Sequence, residues 1–465
     1  MFESSVYAKR RNQLKNSISK GLAVILGNPD APMNYPGNIY PFRQDSSFLY
    51  FFGIDQPNFA GVIDFESGEE IIFGNDVDID DIIWMGPQLS VSEQAKQVAI
   101  DKTFGFNKLM GYIEEAHQKG RKIHFLPPYR AENKILIADM LGIHPNETKA
   151  KASVELIKAV VNIRSVKDEH EIKHIEYIMD VAYEMHTTAM RMAQPGVYER
   201  EVHGKIEGIA LSYGGRVSFP VILTKRGETL HNHHHGNKLE AGDLMLVDAG
   251  FESSMRYATD HTRTTPVGGK FSSKQKDIYQ IVLNANNKAT ESIKPGITYK
   301  EVHLIAAKEV AKGLNELGLM KGNIDEAVQE GAHALFFPHG LGHMMGVDVH
   351  DMEDLGEDYV GYNDDLKRCD QFGTAYLRLA RKLEPGFVLT NEPGIYFIPA
   401  LIDKWIKEGV NHQFLNFDKI NEYRGFGGIR LEDDILVTEN GNRNMGKRRI
   451  PITVNEIEEI AGKGL

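Results

Sequence analysis

Cysteine is almost missing from this chain: Cys369 stands alone among 465 residues. An intrachain disulfide is therefore excluded, and such usage suits a reducing cytosol. No base lies near Cys369 in the sequence, so it reads as a packing residue rather than a nucleophile. Long apolar runs are lacking too, and nothing approaches the roughly twenty apolar residues of a membrane span. The first twenty residues are charged, and the first apolar run, Leu22 to Leu26, is too short for a secretory leader, so none is expected. Basic charge is in deficit. The net charge of −12 speaks against gripping nucleic acid or anionic lipid, both of which need a basic surface. The expectation is a cytoplasmic enzyme with neither nucleic-acid nor membrane partners.

What is present is an ordinary globular composition, 42% apolar and 25% charged, in a chain longer than one core usually holds. Residues 1 to about 160 read as a complete mixed α/β domain. Short β-rich runs (Gly21–Leu26, Phe48–Phe52, Gly61–Phe65, Glu70–Phe73, Lys122–Leu126) alternate with helical stretches at Ser92–Ala99 and Lys108–Lys119. Ser165-Val166-Lys167-Asp168, a serine with an acid three residues on, predicts a helix start and places a second domain at residues 165–465. The apolar positions Ile172, Ile175, Met179, Ala182, Met185 and Ala189 carry that helix to Pro195-Gly196.

The second domain contains an internal echo. Pro195-Gly196-Val197-Tyr198 through Glu201-Val202-His203 recurs 100 residues later as Pro295-Gly296-Ile297-Thr298 through Glu301-Val302-His303. Leu239-Glu240-Ala241-Gly242 with Asp248-Ala249-Gly250 is matched by Leu383-Glu384-Pro385-Gly386 with Glu392-Pro393-Gly394. Chance likeness between helix ends is the bland account, since glycine after a helix is common. The matched acids favour a duplicated α/β half folded about a pseudo-two-fold, with Asp248 and Glu392 at equivalent places.

His339, His343 and His350 fall within twelve residues of an apolar, glycine-rich stretch, Phe337 to Asp351. Each must find a partner or leave the core, and histidine is the commonest metal ligand. The glycines at 340, 342 and 346 suggest close approach of the backbone to something bound. Acids end or interrupt apolar strands elsewhere. Leu244–Asp248 is followed by Tyr257–Thr264, which could return antiparallel and bring Asp260 to Asp248. Phe387–Glu392 ends in an acid, and Gly428–Val437 buries acids inside one alternating strand. Pairing with Arg263 and Arg430 is the bland alternative for any one acid. For four of them beside a histidine cluster, a divalent-metal site is the better account.

Two motifs distract. His170-Glu171-Ile172-Lys173-His174 matches the zinc-protease pattern HExxH, but no glycine-spaced third histidine follows and the surrounding segment is densely charged. The run His231-Asn232-His233-His234-His235 reads mostly as exposed loop, with room for one residue in a site.

These segments, with Pro41-Phe42-Arg43-Gln44, Phe51-Phe52-Gly53 and Trp84-Met85-Gly86 in the first domain, resemble the proline-specific metallopeptidases of the pita-bread fold, aminopeptidase P and prolidase. The resemblance covers nearly the whole chain. It implies an α/β pita-bread catalytic domain with duplicated halves behind a smaller mixed α/β domain. It also implies five metal ligands, Asp248, Asp260, His343, Glu392 and Glu432. Asp248 would hold one metal, His343 and Glu392 the other, with Asp260 and Glu432 bridging. His231 and His350 would flank the scissile bond, His339 would line the proline pocket, and Arg378 and Arg430 would lie on the substrate side. The HExxH helix would carry no ligand. Asp248 and Asp260 are twelve apart, one more than the family's usual hairpin, with the extra residue expected at the tip, Glu252–Met255.

Four carboxylates and one imidazole form a hard, oxygen-rich set that suits two Mn2+ ions, with Co2+ or Zn2+ as alternatives. Two metals can share and activate a water near neutral pH for attack on the carbonyl before proline. Glu392 would take the proton and pass it to the proline nitrogen, and His350 would stabilise the oxyanion. An Xaa-Pro bond has no N–H, so a dedicated site has a reason to exist. The expected substrate is a peptide or dipeptide with proline second, and the expected assembly a homodimer or larger homo-oligomer. The leading function is Xaa-Pro aminopeptidase. Strict Xaa-Pro dipeptidase is the alternative, favoured by Tyr376-Leu377-Arg378-Leu379-Ala380-Arg381, where Arg378 would hold the proline carboxylate. A metal-free binding module is the remote alternative, since such modules lack these ligands.

Overall fold

The structure, a computed structural model, describes residues 1–465. Its backbone divides into two compact units, residues 1–164 with 354–359, and residues 165–353 with 360–465. No helix is long and apolar enough to cross a membrane.

The first unit is built on a five-stranded mixed sheet. Strands β1 (Leu22–Leu26), β2 (Ala60–Asp64), β3 (Glu70–Phe73), β4 (Lys102–Phe104) and β5 (Ile123–Phe125) lie in the order β4-β3-β2-β1-β5. The run Phe48–Phe52, expected to be β-rich, is instead the helix Ser46–Phe52. Asp45 caps it by accepting from the Phe48 N–H at 2.8 Å, and Gly53 ends it at φ +65°. Those end signals outweigh the β-preference of an aromatic run. Its Phe48, Phe51 and Phe52 are fully buried. Gln44 is a brace: Oε1 accepts from the N–H of Asn28 and of Asp45, each at 2.8 Å, and Nε2 donates to the carbonyls of Ile54 and Gln56.

The second unit opens with the helix Glu169–Arg191, capped by Asp168 rather than Ser165, which ends the preceding helix Val154–Ser165. Asp168 forms the capping box with Glu171, one turn later than expected. In its first half lie β6 (Arg216–Val217), β7 (Ile222–Thr224), β8 (Leu244–Ala249), β9 (Phe251–Glu252) and β10 (His261–Pro266). In its second half lie β11 (Val388–Asn391), β12 (Gly394–Tyr396), β13 (Gly428–Arg430), β14 (Asp433–Thr438) and β15 (Gly441–Asn444). Strand β8 is central in the sheet β10-β8-β7, and β14 in the sheet β11-β14-β15.

The sequence echo is an echo of hydrogen bonds. Gly196 N–H donates to the Leu239 carbonyl at 2.8 Å and Gly296 N–H to the Leu383 carbonyl at 2.9 Å. Tyr198 bridges Lys238 as Thr298 bridges Lys382. Each half thus ties the loop before its second helix to the segment entering its acid-bearing strand. The halves are joined where Glu432 N–H donates to the Thr262 carbonyl at 3.0 Å. The segment Gly428–Val437 is not one strand as expected. It breaks at Leu431-Glu432, and its parts pair in different sheets, β13 with β12 and β14 with β11. Cys369, expected in a packed core, is only partly buried.

Candidate metal centre

Strands deliver the acids. Asp248 sits near the end of β8, opposite Thr262 of β10, and Asp260 immediately precedes β10. The hairpin tip is a tight turn, with Arg256 at φ +67° and Ser253 N–H donating to the Tyr257 carbonyl at 3.0 Å. Glu392 follows β11, and Glu432 stands in the break between β13 and β14. Residues near His343 are threaded along β11: Thr390 N–H donates to the His343 carbonyl at 3.0 Å and Glu392 N–H to the Leu341 carbonyl at 2.8 Å.

That threading explains the glycines. A Cβ at Gly342 would lie 2.1 Å from the Thr390 carbonyl oxygen, and one at Gly346 would lie 2.6 Å from Asp351 Oδ2. At Gly342 and Gly346 the close approach is to the chain's own strand and side chains, while Gly340 and Gly342 also line the cavity over the acids.

His343 Nδ1 faces its neighbour's carbonyl, Met344 O, at 3.0 Å, so the proton belongs on Nδ1 and Nε2 presents its lone pair. Nε2 lies 3.4 Å from Asp260 Oδ2 and 3.9 Å from Glu392 Oε1. Three overlapping sets of ligand atoms each fall within 4.8 Å: Asp248 with Asp260 and Glu432; His343 with Glu392 and Glu432; Asp260 with His343 and His350. Asp260, His343 and Glu432 each belong to two sets, so the sets run into one another as room for two adjacent cations would require.

The donor set fits divalent cations on a second count. Asp248 Oδ1 and Asp260 Oδ1 are buried with no hydrogen-bond partner. Burial, then the charge of Glu432, holds Asp260 well above the usual carboxylate range. Burial, then Glu392 and Asp248, does the same to Glu432. Burial, opposed by Arg430 and Arg378 and reinforced by Asp248, pushes Glu392 up to about 7. Carboxylates so placed need positive charge to ionise together.

Arg430 supplies one such charge. Its Nη2 donates to Asp248 Oδ2 at 2.5 Å, Nη1 to the Tyr396 hydroxyl at 2.9 Å and Nε to Thr262 Oγ1 at 3.1 Å. Expected on the substrate side, it has all three nitrogens turned onto the protein. The Thr262 hydroxyl in turn donates to Glu432 Oε2 at 2.7 Å. Behind the acids, Asp260 N–H donates to Asp434 Oδ2 at 3.0 Å, and Arg263 donates to Asp433 Oδ1 and the Glu432 carbonyl, both at 2.6 Å. Arg263 therefore serves the second layer, not the cluster itself.

A cavity of about 440 Å³ opens over the cluster, and all ten residues singled out from the sequence line it: Asp248, Asp260, His343, Glu392, Glu432, His231, His339, His350, Arg378 and Arg430. His339 Nε2 pairs with the Tyr396 hydroxyl at 2.8 Å, and burial beside Arg430 pushes its imidazole down to about 3, so it is neutral. The His350 ring lies against His343, centroids 3.9 Å apart. Of the other loop histidines, His233 also reaches the cavity. Phe219, Pro220, Ile222 and Leu230 supply apolar and aromatic wall that no motif announced, beside Val349 and Tyr376 from segments the motifs did mark. The HExxH residues lie elsewhere: His170 is exposed, His174 Nε2 pairs with Ser253 Oγ at 2.8 Å, and Glu171 accepts from the Tyr257 hydroxyl at 3.0 Å.

Comparison with known proteins gives the same constellation a lineage. Residues 173–439 match the metallopeptidase family M24, and residues 7–124 match the aminopeptidase P N-terminal domain. The chain is 32% identical over 427 residues to human Xaa-Pro dipeptidase, covering 90% of this chain and 84% of that one. It is 32% identical over 438 residues to a probable Xaa-Pro aminopeptidase of Aspergillus clavatus, covering 90% and 88%. Aminopeptidase P from Escherichia coli with the inhibitor Pro-Leu superposes with a TM-score of 0.80 at 29% identity, covering 99% of this chain and 98% of that one. A zinc-substituted form of that enzyme in complex with product gives a TM-score of 0.79 at 28% identity and the same coverage. The pita-bread architecture is thereby established, and the protein belongs to metallopeptidase family M24.

Proposed function

We propose that this protein hydrolyses the bond between an N-terminal residue and a following proline, using two divalent metals held by Asp248, Asp260, His343, Glu392 and Glu432. The observation that carries the reading is that overlapping sets of these ligand atoms, with Asp260, His343 and Glu432 each in two of them, lie under one cavity. Asp248 would serve one position, His343 and Glu392 the other, with Asp260 and Glu432 available to both. The oxygen-rich set suits Mn2+, with Co2+ or Zn2+ as alternatives. When bound, such a pair activates water near neutral pH and polarises the scissile carbonyl.

The chain's own groups do the rest. Glu392, which lines the cavity beside the other acids, would take a proton from the attacking water. It would then return that proton to the proline nitrogen as the C–N bond breaks, releasing a free residue and an amine. His350 would stabilise the oxyanion from Nε2 when both of its ring nitrogens carry protons, His231 would orient the peptide on the leaving side, and neutral His339 would lie beside the proline ring. Arg430 is reassigned from the substrate to Asp248, which it holds and partly neutralises.

Residues 1–160 act as the amino-terminal domain and 165–465 as the catalytic one. Exposed Ile79, Ile83, Trp84 and Met85 on one short helix support a homodimer or larger homo-oligomer. The single cysteine supports a cytoplasmic location.

The leading activity is that of an aminopeptidase. Arg378 favours a second reading, strict dipeptidase, because it brings a guanidinium to the cavity wall where a proline carboxylate would lie. Cleavage of Xaa-Pro against Xaa-Pro-Yaa with added Mn2+ tests both. Release of the first residue from the longer peptide supports the aminopeptidase, and cleavage confined to the dipeptide supports the second reading. Cleavage of neither removes the proposal.

A further inference from the structure

Glu353 is absent from the ligand set and from the cavity wall, yet it touches two residues that line that wall. It opens the short 3-10 turn Glu353–Leu355, and its N–H donates to the His350 carbonyl at 3.3 Å. Its Oε2 accepts from His350 Nδ1 at 2.5 Å, and its Oε1 accepts from Arg378 Nη1. One carboxylate therefore joins a histidine three residues before it to an arginine 25 residues after it.

An isolated ion pair that is about one-third exposed, as these groups are, is worth little by itself. A carboxylate accepting from two donors differs, because moving either partner disturbs the other. A carboxylate at Nδ1 fixes that nitrogen as the donor, and with it the facing of the ring. The guanidinium is a rigid planar fork, so holding one of its nitrogens sets the direction of the whole group.

We propose that Glu353 is a positioning residue that couples His350 to Arg378, and so sets how strongly the enzyme distinguishes a free proline carboxylate from a blocked one. The inference rests on the second of the two Xaa-Pro readings above, the dipeptidase, in which Arg378 meets that carboxylate. His350 lies on the reacting side, against His343, whereas Arg378 lies on the side where the substrate ends. Glu353 thereby links recognition of the chain end to the chemistry. Arg378 without Glu353 keeps its charge but loses the hydrogen bond that couples it to His350.

The test uses full-length protein and two substrates differing only in charge, Ala-Pro and Ala-Pro amide. KM is measured where the amide is turned over, and its inhibition constant against Ala-Pro where it is not. Wild type is expected to favour the free carboxylate. Glu353→Gln, nearly isosteric, is expected to cut that preference about tenfold, the scale of one lost charge-assisted hydrogen bond. It should lower kcat by a similar factor through His350. Arg378→Ala should remove the preference, and adding Glu353→Gln to it should change the preference no further. Unchanged unfolding midpoints show that each variant folds, and Glu353→Asp provides a second variant should Glu353→Gln not.

Preference surviving in folded Glu353→Gln, or additive effects in the double variant, overturns the inference. So does a wild type indifferent to the amide. Failure of wild type to cleave or bind either compound removes the Xaa-Pro reading itself, a different outcome from an active enzyme whose preference ignores Glu353.

Discussion

Arg430 Nη2 lies 2.5 Å from Asp248 Oδ2, inside the cluster of buried carboxylates. The pair joins β13 to β8, one strand from each half of the duplicated unit. A cation among acids lowers the cost of burying them but also occupies an oxygen. Removing one partner of a buried pair costs about 3–5 kcal/mol, because the other charge is left uncompensated. Arg430→Met should therefore destabilise chelator-treated protein by about 3 kcal/mol, and added Mn2+ should restore part of the loss. Denaturant unfolding with and without Mn2+ measures both. Equal stability of variant and wild type in chelator would show that Arg430 does not balance the acids.

The ligand assignment separates two histidine sets. His343→Ala or Glu432→Ala should reduce Xaa-Pro cleavage by more than the roughly 10–100-fold typical of outer partners of a metal. The double change His170→Ala with His174→Ala should leave the rate within about threefold of wild type, because these residues stand on a helix away from the cavity. Initial rates and bound metal per chain check the pair. An essential His170 pair with a dispensable Glu432 would reverse the assignment.

Stability without metal should fall as pH rises above about 7.5. A carboxyl whose folded-state value lies above its unfolded one stabilises the fold while protonated, and that contribution is lost as pH rises through the folded value. Glu392 is raised to about 7, and Asp260 and Glu432 well above their usual range. Buried histidines act oppositely. His186 is held down to about 4 and His339 to about 3, so they contribute fully above the unfolded value and lose that contribution as pH falls. About half of the unfolded-state histidine charge is still present at about pH 6.5, so these histidines are neutral in both states only above about pH 7.5, where the carboxyls alone remain. Chelated protein should lose stability above about pH 7.5, where Asp260 and Glu432 still hold protons that the unfolded chain has lost. Mn2+ should remove that slope, and calorimetric binding near pH 6 should release protons. A flat chelated profile would contradict the shifts.

Lys167 and Asp351 form a buried pair at 2.8 Å, each side chain 1% exposed. Asp351 directly follows His350, so the pair anchors the segment carrying that ring. Lys167→Ala should cost about 3–5 kcal/mol, leaving a carboxylate without its cation. Thermal unfolding reads the effect, and a shift of under about 2 °C would show the pair to be inessential.

The site was more legible than the fold around it. The acids were visible because a carboxylate ending an apolar strand is costly without a cation, and the histidines because three stand in an apolar frame. The duplication was visible in repeated Pro-Gly turns. Residues acting through hydrogen bonds were not. Tyr396 on His339 and Arg430, and Thr262 between Glu432 and Arg430, lie in strands whose residues suit many roles. Glu353 shows a spacing of three from His350, but its second partner, Arg378, lies in a different turn. The misread helix Ser46–Phe52 had its signals in Asp45 and Gly53, outweighed by five apolar and aromatic residues between them. The glycines at 342 and 346 signalled close approach correctly but could not say to what.

Titration of Mn2+ into metal-stripped protein, read as hydrolysis of Ala-Pro beside Ala-Ala, tests the central claim most directly. The account predicts no turnover before addition, a rise that saturates at two Mn2+ per chain, and no comparable cleavage of Ala-Ala. Turnover in the stripped protein, saturation at a single ion, or equal cleavage of both dipeptides would contradict it.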